Sequence, residues 1–369
     1  MKTKDAVVLV PGFLGFSRFG DFYYFADRVS ATLRGALELR LACPVPVIPV
    51  TTLPTAGLAA RQQVLLDALA KLEARLGGVE RFHLVGHSAG GLDAQLLTCH
   101  SPLRRTAWSL DEGRLCAKIA SVCTVAGAHH GTDLSTSPIA QFAVDPIHHA
   151  DALAVAPKLV VDFLKLVPRG PAFANAVSGA LLAPPEVIKF VSQLVAQREL
   201  VSDLRPRHVE GLRRENPPTG RTPLKSFVTV VPREVLSDSD RFFADLCELT
   251  DKGDGALPSE TVLRGVERLN AARNTIVASK RHELTFDARV SDGVVNSARQ
   301  LLDPSSEDEL AGIFVADHAD ILGHYDRTDA LIDDRPLNAG IFHSGAGFGD
   351  EQFFELYRRI AEIIAAHAR

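Results

Sequence analysis

The stretch Arg81-Phe82-His83-Leu84-Val85-Gly86-His87-Ser88-Ala89-Gly90-Gly91, continued by Leu92 to Leu97, constrains this chain more than any other. Residues of strand character run into a turn of small residues with a serine at its apex, and a helical pattern follows at once. So sharp a reversal needs almost no side chain on either side of the serine, because glycine admits backbone conformations that a Cβ forbids. A strand feeding straight into a helix is the repeating unit of a parallel sheet with crossover connections. An all-β or all-helical body is therefore excluded.

The rest of the chain keeps this rhythm. Strand character at Ala6 to Val10, Val45 to Val50, Arg81 to Val85 and Ile119 to Val125 alternates with helices predicted from about Asp21 and about Ala59. In the second helix Val64, Leu65, Leu69, Leu72 and Leu76 recur at helical spacing, and Gly77-Gly78 ends it. Beyond Gly131 the pattern turns apolar and helical, most clearly at Leu153 to Val167 and Val187 to Val195. Strands resume at Ser226 to Val231, Glu283 to Val290 and Gly312 to Ala316, and Phe353, Leu356, Tyr357, Ile360 and Ile364 mark a closing amphipathic helix. The expected organisation is one catalytic body from residues 1–131 and 225–369, a helical cap at 132–224, and a second, more polar insertion at about 232–281. There is no internal repeat.

With 369 residues, 46% of them hydrophobic, the chain can bury roughly three quarters of its unfolded surface. A formal charge of -5 without a basic block argues against a nucleic-acid partner, and no apolar run reaches membrane-spanning length. Met1 to Asp5 passes directly into a strand, leaving no room for a secretion signal, so a cytoplasmic protein is expected, secreted only if a leader has been removed. Cys43, Cys99, Cys116, Cys123 and Cys247 are odd in number and lack metal-ligand spacing, as buried free thiols do.

A serine lifted on such a turn is a candidate nucleophile, and it needs a base and an orienting carboxylate, both expected downstream in the order Ser, acid, His. Asp292, in the Ser291-Asp292-Gly293 turn after the strand expected at Glu283 to Val290, is the candidate acid, with Asp287 the alternative. His318, directly after the strand ending at Asp317, is the candidate base, with His324 its competitor. The amides of Ala89 and of Phe13, in the Pro11-Gly12-Phe13-Leu14-Gly15 turn, are candidate oxyanion donors. Phe13, Phe16, Phe19, Phe22, Tyr23, Tyr24 and Phe25 crowd the next stretch, mostly as core, with some available to line an apolar pocket. The pairs His129-His130 and His148-His149 lack accompanying metal ligands and read as loop histidines near the site entrance. Arg205, Arg207, Arg213 and Arg214 read as a solvated helix face, and Asp251 to Gly255 has too few oxygen ligands for a calcium loop.

Four segments resemble the α/β-hydrolase superfamily and, within it, the bacterial true lipases: Val8 to Phe16, Leu84 to Gly91, Val125 to Thr132, and Ser291 to Val295 with His318-Ala319-Asp320. The resemblance implies an α/β-hydrolase fold, a mostly parallel sheet flanked by helices with an inserted cap or lid, and a Ser88, Asp292, His318 triad hydrolysing lipid-like carboxylic esters. Pro11 stands where these lipases usually have His, and His129 where they usually have Pro. Asp320 matches one aspartate of the family's calcium site while a second is not found, so no cofactor is expected to be required. The expected partner is a small-molecule ester or lipid, with transient contact to a lipid interface through the cap. An acyltransferase, a short-chain or polyester esterase, and a non-catalytic lipid-binding protein are the alternatives.

Overall fold

The computed structural model describes residues 4–13, 15, 17–19, 22–137, 199–236, 239, 241–252, 258–279, 284–306, 308–325, 331–332, 335–336 and 342–368. In chain order the strands are β1 (Asp5–Val10), β2 (Arg18–Phe19), β3 (Phe22–Tyr23), β4 (Val47–Pro49), β5 (Arg81–His87), β6 (Ile119–Val125), β7 (Leu224–Val230), β8 (Ile276–Val277), β9 (Leu310–Val315), β10 (Leu331–Ile332) and β11 (Arg335–Pro336). The described helices are α1 (Asp27–Leu41), α2 (Leu58–Arg75), α3 (Ala89–Leu96), α4 (Leu110–Cys116), α5 (Glu199–Asp203), α6 (Pro206–Glu215), α7 (Arg241–Lys252), α8 (Glu260–Ala271) and α9 (Asp350–His367). Seven strands make one parallel sheet in the order β4-β1-β5-β6-β7-β9-β8, and two short hairpins, β2-β3 and β10-β11, stand apart from it.

The sheet is covered on both faces, which is why its strands are apolar at nearly every position. Alternate residues of β1 divide between the two sides. Val7 and Leu9 pack with Val29, Leu33 and Leu37 of α1 and with Phe353, Leu356, Ile360 and Ile364 of α9. Ala6, Val8 and Val10 pack with Leu65, Leu66, Leu69 and Leu72 of α2. Farther along, Val228, Val230, Ile313 and Val315 meet Phe243 and Leu246 of α7 and Val262 and Leu269 of α8.

This strand order also decides where chemistry can happen. The connection leaving β1 runs toward β4, whereas the one leaving β5 runs the opposite way, toward β6. A crevice opens beyond the carboxyl ends of adjacent strands whose connections part in this manner, the usual ligand position in open α/β sheets. Gly12 follows β1 and Ser88 follows β5 at this switch point.

Two expected elements differ. The helix predicted from about Asp21 begins at Asp27, because the residues before it form the β2-β3 hairpin. The strand predicted at Glu283 to Val290 does not form within the described residues 284–290. The place beside β9 belongs to β8, and 287–290 close a turn in which the Arg289 amide donates to Asp287 Oδ1 at 2.8 Å. The apolar alternation there reflects packing, since Leu284, Phe286 and Val290 enter the core beside Val230 without a ladder.

Most of the expected cap, including Leu153 to Val167, Val187 to Val195 and His148-His149, lies outside the described residues, as do Phe16 and Gly253 to Gly255. On the described side of it, the Thr132 amide donates to the Leu204 carbonyl at 3.0 Å. α5 is moored to the body by the Leu200 amide on Thr55 O at 2.9 Å and by Asp203 Oδ2, which accepts from the Leu58 amide at 2.8 Å and so caps α2. All five cysteines are free thiols. No helix among the described residues is long and apolar enough to cross a membrane.

Candidate active site

Ser88 sits at the apex of the turn between β5 and α3 with φ 55° and ψ −128°, a left-handed backbone that is costly for any residue but glycine. Crowding enforces it: a Cβ on Gly86 would strike the backbone of Gly90 and Gly91, and one on Gly90 the carbonyls of Val10 and Pro11. On the other side of the crevice Gly12 approaches so closely that a Cβ there would lie 2.6 Å from Ser88 Cβ. All three glycines thus have a steric cause. Ala89 opens α3, and the amides of a helix's first turn have no acceptor within the helix. Phe13, half-buried, lies in the Gly12 to Gly15 turn, which closes through the Gly15 amide on Gly12 O at 3.2 Å.

Asp292 and His318 meet. His318 Nδ1 is 2.7 Å from Asp292 Oδ2, and the His318 amide donates to the Asp292 carbonyl at 3.0 Å. Asp292 is fully buried, and donors surround it. Oδ1 accepts from the amides of Val294 at 3.0 Å and Val295 at 2.8 Å, while Oδ2 also accepts from Thr229 Oγ1 at 2.6 Å and Gln300 Nε2 at 3.0 Å. Both carboxylate oxygens are occupied by donors, so His318 Nδ1 points its hydrogen at Oδ2 and its Nε2 faces away from the carboxylate. His87, the residue before Ser88, is 3.0 Å through Nε2 from the His318 carbonyl, and the two rings stand 4.5 Å apart between centroids.

The alternatives lie elsewhere. Asp287 is exposed and caps its own turn. His324 Nε2 is 2.9 Å from Tyr23 O and 3.2 Å from Tyr24 O, so this nitrogen carries hydrogen and is engaged by backbone. Asp320 Oδ2 accepts from the Asp317 amide at 2.9 Å, and Asp317 Oδ1 accepts from the Ala319 and Asp320 amides at 2.8 and 2.9 Å. These reciprocal bonds shape the loop that carries His318. Burial pushes the Asp317 carboxyl up to about 6, helped by the nearby Asp292.

Two readings of polar residues require correction. His129 and His130 lie in the loop after β6, as expected, but they are buried and not exposed at an entrance. His129 is fully buried between Gln95 Oε1, 2.7 Å from Nδ1, and Thr124 Oγ1, 2.9 Å from Nε2, and burial holds both rings' pKa values well down. Nor is Arg213 part of a solvated face. It turns inward from α6, donating to His129 O at 2.7 Å and to Leu302 O, and burial lowers it to about 10. Arg213's partners, and Gln95 beside His129, come from elements distant in sequence, whereas Thr124 lies only five residues before His129.

Four further residues belong to the site. Thr229 and Gln300 hold the Asp292 carboxylate, and nothing in their local sequence marks them. Arg61, fully buried, donates to Asp93 Oδ2 through Nε at 2.9 Å, to Pro11 O at 3.0 Å and Gly12 O at 3.1 Å, and to Leu53 O. It therefore fixes the turn that holds Phe13. Its signal was present, since Arg61 shares the buried face of α2 with Leu58, Leu65, Leu69 and Leu72. Tyr24, treated above as one aromatic among seven, accepts from the Gly12 amide at 2.9 Å.

No model of a known protein family matches the chain. A triacylglycerol lipase of Pseudomonas fragi is 29% identical to it over 136 residues, 37% of this chain and 38% of that protein. The chain thus spans well under half of that relative's length. Lipase 1 from Pelosinus fermentans superposes with a TM-score of 0.52 at 16% identity, covering 98% of this chain and 99% of the other. EstA from Clostridium botulinum superposes with a TM-score of 0.53 at 16% identity, covering 100% and 88%. The fold is that of the α/β-hydrolases, and the chain resembles bacterial lipases and esterases.

Proposed function

We propose that this protein hydrolyses carboxylic esters of lipid-like substrates through a serine-bound acyl intermediate. The observation that carries the reading is the contact of His318 Nδ1 with the buried, five-donor Asp292 carboxylate, in a loop that also touches the residue preceding the strained Ser88. In the proposed reaction Ser88 Oγ adds to the ester carbonyl while His318 Nε2 takes its proton. Asp292 keeps the imidazole in the required tautomer and stabilises the imidazolium. The Phe13 and Ala89 amides receive the negative charge on the carbonyl oxygen, each such donor contributing about 2.7–4 kcal/mol to the barrier. His318 then hands its proton to the departing alcohol. Water, deprotonated in turn by His318, adds to the acyl-serine, and His318 returns that proton to Ser88 Oγ as the acid leaves. These steps use only groups of this chain. Residues 132–224 remain assigned to an inserted cap, whose described flanks meet where the Thr132 amide donates to the Leu204 carbonyl.

Hydrolysis of p-nitrophenyl esters from acetate to palmitate, with Ser88→Ala alongside, tests this. Loss of turnover in folded Ser88→Ala is expected, with the preferred acyl length separating a short-chain esterase from a lipase. Turnover surviving in Ser88→Ala would overturn the nucleophile. Absence of turnover with retained fatty-acid binding would favour a binding protein on a hydrolase scaffold.

A further inference from the structure

The proposed mechanism makes no use of Tyr24 or His87, yet both are buried between its parts. The Gly12 amide donates to Tyr24 Oη at 2.9 Å, Tyr24 Oη lies 2.7 Å from His87 Nδ1, and His87 Nε2 lies 3.0 Å from the His318 carbonyl oxygen. Chemistry fixes the direction of every bond. A carbonyl oxygen only accepts, so His87 Nε2 carries the hydrogen. Burial, first, and the neighbouring His318 hold the His87 pKa well below its ordinary value, so the ring is neutral and Nδ1 is bare. Tyr24 must therefore donate its hydroxyl hydrogen to Nδ1 while accepting from Gly12.

The resulting chain joins the loops after β1, β5 and β9, and each of them supplies one part of the proposed site: the Phe13 amide, Ser88 and His318. Resting on the ester-hydrolase reading, we infer that Tyr24 is a positioning residue, which through Gly12 sets the oxyanion-binding turn and through His87 sets the backbone of the base against the nucleophile. Tyr24 touches no substrate in this role. Its effect belongs to addition at the carbonyl, a step shared by every ester whatever its acyl length. Simple core packing makes a different prediction, because the ring that packs edge-on against Phe25, 5.2 Å between centroids, is unchanged in Tyr24→Phe.

The test compares the parent, Tyr24→Phe and Ser88→Ala on p-nitrophenyl acetate, butyrate and octanoate, with thermal unfolding of each. For Tyr24→Phe a fall in kcat of about ten- to a hundredfold is expected, the scale of a sub-ångström misplacement of reacting groups. The fall should be the same factor for all three esters, with KM within about threefold of the parent. A kcat within about twofold of the parent, a loss confined to KM, or a loss that grows with acyl length would overturn the role. Ser88→Ala separates the two levels. If it retains turnover the ester-hydrolase reading fails, whereas if it is inactive and Tyr24→Phe is unimpaired only this inference fails. Should Tyr24→Phe not fold, imidazole nitrogen-15 spectra of the parent decide: His87 with hydrogen on Nε2 and a bare Nδ1 from pH 6 to 8 is expected, and hydrogen on Nδ1 would break the chain.

Discussion

Replacing Asp292 by asparagine exchanges one oxygen for an NH2 group, and the structure dictates which one. Oδ1 accepts from the Val294 and Val295 amides, so the amide oxygen of Asp292→Asn must stay there and the NH2 must take the place of Oδ2. That group then faces His318 Nδ1 at 2.7 Å and Gln300 Nε2 at 3.0 Å. A donor opposite Nδ1 forces His318 to accept there and to carry its hydrogen on Nε2, the nitrogen that the proposed chemistry needs bare. A triad held in the wrong tautomer loses about 10⁴ in kcat, which at about 1.36 kcal/mol per decade is about 5.5 kcal/mol of barrier. Because the Gln300 amide also meets a donor, a charge-assisted hydrogen bond is lost, and unfolding free energy should fall by about 1.5–3 kcal/mol. Turnover of p-nitrophenyl butyrate by the folded variant, with a urea titration, reads both quantities. A folded Asp292→Asn retaining more than about a tenth of the parental kcat would refute the tautomer argument.

The Arg61-Asp93 pair has no exposed side-chain surface, so Asp93→Ala strands a guanidinium and should cost about 3–5 kcal/mol of stability; a loss under about 1 kcal/mol in denaturant titration would contradict this. Asp317 has its carboxyl raised to about 6, so the unfolded chain releases this proton first, and the group's contribution to stability declines as pH rises from about 4 to about 6. Asp317→Asn keeps the oxygen that caps Ala319 and Asp320 and should flatten that decline in unfolding curves taken across this range; an unchanged slope would count against the burial argument. Gly12→Ala places a Cβ 2.6 Å from Ser88 Cβ and 2.8 Å from Tyr24 Oη, which should destabilise the fold by about 1–3 kcal/mol and reduce turnover together. Parental activity in that variant would show that the turn is free to shift.

What the sequence determined by itself was local. The strand, the glycine turn and the helix around Ser88 follow from steric limits acting over a few residues, and the two-faced burial of a parallel sheet follows from its unbroken apolar strands. Asp292 and His318 were picked out by chain order and by their position at loops, although the strand invoked ahead of Asp292 is an irregular segment whose apolar residues pack without pairing. Tertiary structure alone decided which polar groups are buried and what they hold. Arg213 and His129 looked like surface residues because partners such as Leu302 and Gln95 lie on other elements. Thr229 and Gln300 gained meaning only when the fold brought them to Asp292 across 63 and 8 positions of chain, and Tyr24 only when its hydroxyl met Gly12 and His87. A hydrogen bond in a core is set by where two elements cross, and that crossing is fixed by packing of the whole sheet rather than by any local run of residues.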